Sequence, residues 1–459
     1  MQMPFRKTNR KRSALEFRKY LETPNSNLEI PPTQLLCVFL NSNIDSIRLN
    51  YELFIARRFR SAKKDKSSIS APIIKIAITA IALGMVMMLV TLATGLGLQN
   101  KIREKIAVFK GHVQIVSFDN NALETTQNPI SKIQDFYPDF SALPGAKHVQ
   151  VFASKAGVIR TETDFEGVVF KGVDAGYDWS GIEEYLVAGA LPSLEGATSN
   201  EVLISSVLSK RLDLQLGITF DTYFVKSQAG KLPNRRVFKV AGIYNSGFKD
   251  FDETYLLGDI RHLQKINKWQ ENQVGGFEVF LEDFEAIEVL GNQIYSSIDP
   301  VLNSHTLTDL YPDIFDWLRL FDTNIAIIIG LMIWVAGINM ITALLVLILE
   351  RTQTIGILKT LGSTNWSIRK LFLYNASYLI LRGLVIGNAI GISLLLLQKY
   401  FGIIRLNPDT YYVDTAPVYL NLWHVFFLNL GTLLLCLLML LLPSYLITRV
   451  RPAKAVKFE

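Results

Sequence analysis

The chain has 459 residues, 49% of them hydrophobic and 19% charged, with a formal net charge of +6 and two cysteines. A pI near 9 would suit nucleic acid, but the positive charge sits beside long apolar stretches, where anionic lipid and membrane topology account for it; no nucleic acid partner is expected. Cys37 and Cys436 fall in the N-terminal region and inside an apolar run, so the polar middle of the chain has no disulfide and stands on its own core, which about 220 residues can build.

Residues 1–48 mix basic clusters (Arg6, Lys7, Arg10, Lys11, Arg12) with Pro, Asn and Ser and show no sustained period. They read as a disordered cytosolic extension or, since Leu49 opens a more regular run, as a mis-annotated start. Segment 49–71 sets Tyr51, Leu53, Phe54 and Ile55 among Arg57, Arg58, Arg60, Lys63 and Lys64, the pattern of a basic amphipathic lead-in on a membrane face. Four apolar runs follow, at 72–96, 322–349, 372–398 and 421–446. Each reaches the ~20 residues that a helix needs to cross the hydrocarbon. The first is too long for a signal-peptide core, and Lys75 in its first turn snorkels.

Charge is segregated along the chain. Residues 1–66 hold 14 Lys/Arg against 6 Asp/Glu (+8), whereas 97–320 holds 21 against 30 (−9). Arg351, Lys359, Arg369 and Lys370 outweigh Glu350 in the 350–371 loop, and the 447–459 tail carries Arg449, Arg451, Lys454 and Lys457. Basic residues at span ends mark the cytoplasmic side. Both termini and the 350–371 loop are therefore expected inside, with the insert 97–321 and the 399–420 loop outside.

Within the insert, 98–110 keeps helical spacing (Ile102, Ile106, Phe109) and is expected to continue the first span out of the bilayer. Strand signals follow at 112–118, 149–152, 157–160 and 167–173. A helix is expected at 200–214, with Leu203, Val207, Leu208 and Leu212 on one face. Strands at 219–225 and 236–244, a helix at 259–267, a strand at 276–281 and a helix at 285–297 complete an α+β domain. Segment 307–322 leads straight into the second span. The fold class is a multi-pass α-helical membrane protein, four transmembrane helices arranged one plus three, with a large inserted α+β domain on helical stalks.

No enzymatic constellation emerges. The five histidines (His112, His148, His262, His305, His424) have no partner at metal-ligand spacing, and Gly356 and Gly362 lack the Lys-Ser/Thr of a phosphate loop. No catalytic or metal-binding residue is expected, and any ATP and Mg would be bound by another polypeptide. In 350–362, Ile355, Ile357, Leu358 and Leu361 are expected to form one stripe of a short helix, with Gly362 as C-cap and Ser363 or Thr364 capping the next helix. The segment is either a structural turn or a stiff elbow that presents a helix to a soluble partner. Gly383, Gly387 and Gly391 allow close helix approach, within the subunit or at a dimer seam. Arg382 is either a functional intramembrane charge or a snorkelling side chain.

Glu350-Arg351 followed by Ile355-Gly-Ile-Leu-Lys-Thr-Leu-Gly362 resembles the coupling segment of FtsX-like ABC permeases of the MacB superfamily, which share the one-plus-three layout. Phe54–Arg60, Gly95–Gln99, Gly111-His-Val-Gln-Ile, Leu216-Gly217, Arg236-Val-Phe-Lys-Val-Ala-Gly-Ile, Asn407–Pro417 and Arg451-Pro-Ala-Lys-Ala-Val are similar to the LolC/LolE type, the membrane subunits of the lipoprotein-releasing transporter, over about residues 50–459. The resemblance implies a bacterial inner-membrane permease with a periplasmic domain and no nucleotide site of its own. It further implies a cytosolic ABC ATPase dimer, a second permease subunit (homo- or heterodimer), lipoprotein cargo, a periplasmic lipoprotein carrier and membrane lipids as partners. Glu350, Arg351, Ile355, Gly356, Ile357, Lys359, Leu361 and Gly362 match the ATPase-coupling helix. The family's carrier-binding subunit hooks its carrier with a projecting loop; the comparable stretch 226–235 is short here, so Lys226, Gly230, Leu232 and Pro233 form either such a hook or a plain hairpin turn. The alternative is another FtsX-like mechanotransmission permease, acting in cell-division regulation, peptide or small-molecule export, or antimicrobial-peptide sensing. A membrane-anchored receptor or scaffold without an ATPase is a third class, and the elbow speaks against it.

Overall fold

The computed structural model describes residues 52, 55, 70–120, 127–141, 143–224 and 232–445. The expectations for 1–48, for most of the 49–71 lead-in, for Lys226 and Gly230, and for the 447–459 tail lie outside these residues. Among the described residues, four helices are long and apolar enough to cross a membrane: Ser70–Lys110, Pro312–Glu350, Asn365–Phe401 and Leu422–Ser444. The first two have 41 and 39 residues. At 1.5 Å per residue each is about 60 Å long, roughly twice the hydrocarbon thickness, so the surplus forms two stalks.

Local chemistry sets the helix ends. Pro312 sits at the start of the second helix, where its missing N–H is no loss. Thr364 accepts from the Ser367 N–H at the third, and Asn421 accepts from the Trp423 N–H at the fourth.

The third span lies on the first along its glycine face. A Cβ on Gly383 would come 2.7 Å from Ile81, one on Gly387 2.7 Å from the Ala82 carbonyl oxygen, and one on Gly391 3.0 Å from Leu89. These glycines bring the two helices together within the subunit. The third and fourth spans are joined by a reciprocal amide pair, Asn388 Nδ2 to Asn429 Oδ1 at 2.7 Å and Asn429 Nδ2 to Asn388 Oδ1 at 3.1 Å. Arg382 lies on the surface of the third span, its guanidinium 4.6 Å from the Tyr378 ring centroid one turn toward the elbow. That is the direction of snorkelling.

The inserted domain contains β1 (Val113–Ser117), β2 (Ile130–Ser131), β3 (Ala146–Arg160), β4 (Phe165–Val173), β5 (Leu186–Gly189), β6 (Glu201–Ser205), β7 (Thr219–Phe224), β8 (Asn234–Tyr244), β9 (Tyr255–Asp259), β10 (Gln273–Val274), β11 (Gly276–Leu281) and β12 (Leu302–Thr306). Ten of them make one mixed sheet in the order β12-β1-β11-β3-β4-β9-β6-β8-β5, with β7 pairing both β3 and β8. The circuit β3-β4-β9-β6-β8-β7 therefore returns to β3 and closes. Phe170, Phe224 and Phe238 meet inside it, with ring centroids 5.0 to 6.4 Å apart. The flanking set β12-β1-β11 is antiparallel and carries both stalks: β1 follows the first, and β12 precedes the second.

The structure corrects several expectations. The segment 200–214 is not one helix. Val202, Leu203 and Ile204 are buried in β6 between β8 and β9, and only Ser206–Arg211 is helical, started by the Ser205 hydroxyl. A short apolar run buried on both faces carries no period to separate strand from helix. Strands 149–152 and 157–160 are halves of β3; the polar Ser154 that divides them is buried and held by Gln127, which accepts its N–H at 2.8 Å. Helix 259–267 starts at Arg261, Asp259 being the end of β9. The path 307–322 is broken at Tyr311, between a short helix Leu307–Leu310 and the second long helix. Gly387→Leu is expected to lower the unfolding midpoint of the detergent-purified chain by at least the ~1–3 kcal/mol typical of overpacking. Gly330→Leu, whose Cβ meets nothing within 4 Å, should leave the midpoint unchanged in the same denaturation series.

Candidate functional site

The elbow follows the second span directly. Arg351 ends that span and begins a short helix, Thr352–Thr360. Thr352 Oγ1 donates to the Leu349 carbonyl at 2.7 Å across the bend. Gly362, at φ 89°, supplies the left-handed residue that ends the helix: its N–H reaches the Lys359 carbonyl, and the Ser363 N–H reaches that of Leu358.

The expected single stripe is divided. Ile355 is 1% exposed and packs with Ile348, Ile368 and Phe372 in the core of the helix bundle, with Gly356 buried and Leu358 packed beside it. Ile357 and Leu361 are 51% and 77% exposed. At 100° per residue, positions 355 and 357 point apart, whereas 357 and 361 share a face. One side glues the elbow to the bundle; the other leaves two large apolar side chains uncovered. Glu350 and Arg351 are exposed at the bend, and partial burial holds the Lys359 ammonium below the usual lysine range. Of the expected carrier-loop residues, Leu232 and Pro233 are exposed at the end of the β7–β8 hairpin. Pro233 lines a cleft of about 530 Å³ with Tyr223 and with Phe165 and Arg160 from the β3–β4 turn.

The stalk junction escaped the sequence reading. Lys171 on β4 donates to Glu278 on β11 at 2.7 Å, with side chains 2% and 0% exposed, and also to the carbonyl of Phe109 in the last turn of the first stalk. Gln150 donates to the second Glu278 oxygen at 2.9 Å. An ammonium at a helix C-terminus satisfies an orphan carbonyl and matches the helix dipole. The chain leaves the stalk through Gly111 at φ 70°, where a Cβ would meet that of Glu278 at 2.8 Å, so no other residue fits. The signal in the sequence was a charge set within an apolar run in each of two strands, Val-Val-Phe-Lys171 and Gly-Phe-Glu278. Their pairing across 107 positions was not visible. The stalks are also pinned to each other, Gln99 Nε2 donating to Asp322 at 2.8 Å and to the Leu318 carbonyl at 3.1 Å. The short helix Leu307–Leu310 that precedes the second stalk starts from a capping box of Thr306 and Asp309.

Four spans, a domain inserted on two stalks and a rigid elbow define a multi-pass permease-type membrane subunit. The family described as "FtsX-like permease C-terminal" matches residues 326–452, and that described as "MacB-like periplasmic core domain" matches residues 76–294. The chain thus combines an FtsX-like permease region with a MacB-like periplasmic core, and the inserted domain is a periplasmic domain. It is similar to the "Lipoprotein-releasing system transmembrane protein LolE" of Haemophilus influenzae, at 24% identity over 89% of this chain and 99% of that protein. It is also similar to the corresponding LolC of Xylella fastidiosa strain 9a5c, at 22% over 88% and 98%. Among solved structures, the periplasmic region of MacB from Actinobacillus actinomycetemcomitans aligns at 15% identity over 44% of this chain and 91% of that one, with a TM-score of 0.31.

Two outcomes follow from the junction. Breaking one side of a buried ion pair costs ~3–5 kcal/mol, so Lys171→Met is expected to destabilise the full chain by that order in denaturant titration, and Lys171→Met/Glu278→Leu to recover part of it. His112, beside the junction, accepts the Leu281 N–H on Nδ1 at 3.0 Å and is pushed by burial to a pKa of about 4. A histidine pKa below its unfolded value of ~6.5 gives stability that is complete above pH 6.5 and lost as pH falls from there toward 4, at most ~3 kcal/mol. Unfolding measured across that window should show the loss, and His112→Asn, which keeps an acceptor and does not titrate, should flatten it.

Proposed function

We propose that this chain is the permease subunit of an ATP-driven lipoprotein-releasing transporter, taking lipoproteins from the outer leaflet of the inner membrane and handing them to a periplasmic carrier. The observation that carries it is collinearity: relatives named for lipoprotein release align over 88–89% of this chain and 98–99% of their own length. Extraction needs an energy source, because each acyl CH₂ moved into water costs ~0.8 kcal/mol. The chain has no phosphate loop, so ATP and Mg belong to a separate cytosolic ATPase dimer. Ile357 and Leu361 give that ATPase an apolar ridge to grip, on a helix whose other face is fixed to the bundle.

The basic 350–371 loop and N-terminal region against the acidic insert orient both termini and the elbow to the cytoplasm. A second permease subunit, a copy or a relative, completes the assembly. The exposed Leu232 and Pro233, with Lys226 and Gly230 in the same loop, are the candidate carrier contact.

The test is a complex of the full chain with its ATPase in proteoliposomes loaded with a triacylated lipoprotein, soluble carrier being added outside. ATP-dependent transfer is expected. Ile357→Glu/Leu361→Glu should lower coupled ATPase activity and transfer at least tenfold with the bundle intact by circular dichroism. ATPase coupling without transfer would favour another mechanotransmission permease, and unaffected ATPase activity in the variant would remove the coupling role of the elbow.

A further inference from the structure

The loop between the third and fourth spans, residues 402–420, is docked rather than free. It is closed at its base by an Arg405–Thr415 bridge and by Gln398, which donates to the carbonyls of Ile404 and Ala416 at 3.1 Å and accepts the Ile404 N–H at 2.8 Å. Its returning arm lies along the top of the first span. The Tyr419 N–H reaches the Ala93 carbonyl at 3.0 Å, and a Cβ on Gly97 would come 2.6 Å from the Pro417 oxygen.

Its tip enters the periplasmic domain. Val413 is 4% exposed within the domain's own core, and the Tyr412 ring stacks on Phe248 at 4.7 Å and stands edge-on to Trp317 of the second stalk at 6.0 Å. Tyr412 holds φ 59°, a left-handed backbone that a tyrosine rarely adopts. Such a conformation persists where surroundings over-determine it and is concentrated at functional positions.

Lys105 of the first stalk reads this tip. Its buried ammonium donates to the Tyr412 carbonyl at 2.9 Å and to the Ser246 carbonyl of the domain. Ser246 and Gly247 in turn donate to the buried carboxylate of Asp252, at 2.8 and 2.9 Å. One side chain thus joins a stalk, the domain and the third–fourth span loop.

We infer that the 402–420 loop is a third leg of the periplasmic domain, with Lys105 as its positioning residue. The tops of the third and fourth spans and the domain then move as one body when the elbow is driven. This rests on the permease reading for its purpose, not for its measurement.

The test uses the full chain, co-assembled with its ATPase in nanodiscs, with Cys37 and Cys436 replaced by Ser. Nitroxides are placed at Glu162→Cys on the domain tip and Lys399→Cys at the top of the third span, one labelled chain per complex. Pulsed EPR should give one narrow distance distribution that does not change between nucleotide-free and vanadate-trapped states. Tyr412→Ala and Lys105→Met should each broaden it at least twofold, and Lys105→Arg should restore the narrow form. Lipoprotein transferred per ATP hydrolysed should fall at least fivefold in the two broadened variants, with ATPase turnover within twofold of the parent.

A distribution that shifts with nucleotide in the parent chain, or that stays narrow in Tyr412→Ala, overturns the third leg. Absence of lipoprotein transfer in the parent chain counts against the cargo alone, because the distances decide the leg without cargo.

Discussion

The buried pair of Lys171 and Glu278 is the constraint on which the transmission path depends. A stalk can move a domain only if the two are joined without slack, and a helix end is a poor joint because its last carbonyls lack intrahelical partners. Here the last turn of the first stalk is received by a lysine that has nowhere else to go. Glu278 neutralises it, Gln150 holds the second carboxylate oxygen, and Phe109 supplies the carbonyl. Two charges so fully withdrawn from water are tolerated only in one geometry. The same expense that makes the pair a weak source of stability makes it a strong source of orientation.

Around that joint the two halves of the molecule use different physics. The periplasmic domain is built on water's side of the problem, with large aromatic side chains such as Phe170, Phe224 and Phe238 filling a closed strand circuit. In lipid, burial of apolar area gives no advantage, so the spans are held by close approach and amide pairing: the 383/387/391 glycines on the first span and Asn388 on Asn429. The second span has no comparable glycine seam with the third. It meets the first through contacts such as Ile325 on Gly95, and is pinned through Gln99 and Asp322 above. Of the long helices, it is the one that leads directly into the elbow.

What was legible in the sequence was what is continuous along it. The one-plus-three layout, the extension of the first span into a stalk, and the glycine cap of the elbow all rest on hydropathy runs or local backbone rules, and they stand in the structure. What was illegible depends on contacts distant in sequence. Val202 to Ile204 are strand because β8 and β9 cover both their faces, which no window of the sequence contains. Ile357 and Leu361 look like core by composition, and only the packing of Ile355 against Ile368 reveals that they face outward. Lys105 was one more charge on an amphipathic helix until the loop 300 residues later closed over it.

For the proposed function, what these parts supply is stiffness. Both helices that enter the periplasmic domain are about twice as long as a membrane requires, and neither contains an interior proline, so a displacement at one end is carried to the other. The sharpest interruption on the second is at Tyr311, just where that helix meets the domain. A break there lets the second stalk change its angle to the sheet while the first, capped by Lys171, does not. The asymmetry keeps the domain fixed to the first stalk and leaves the second stalk free to change its angle to both. Anchoring of the elbow by Ile355 on one face suits the proposed coupling role, since a helix free to rotate on its own axis would absorb a stroke instead of passing it on.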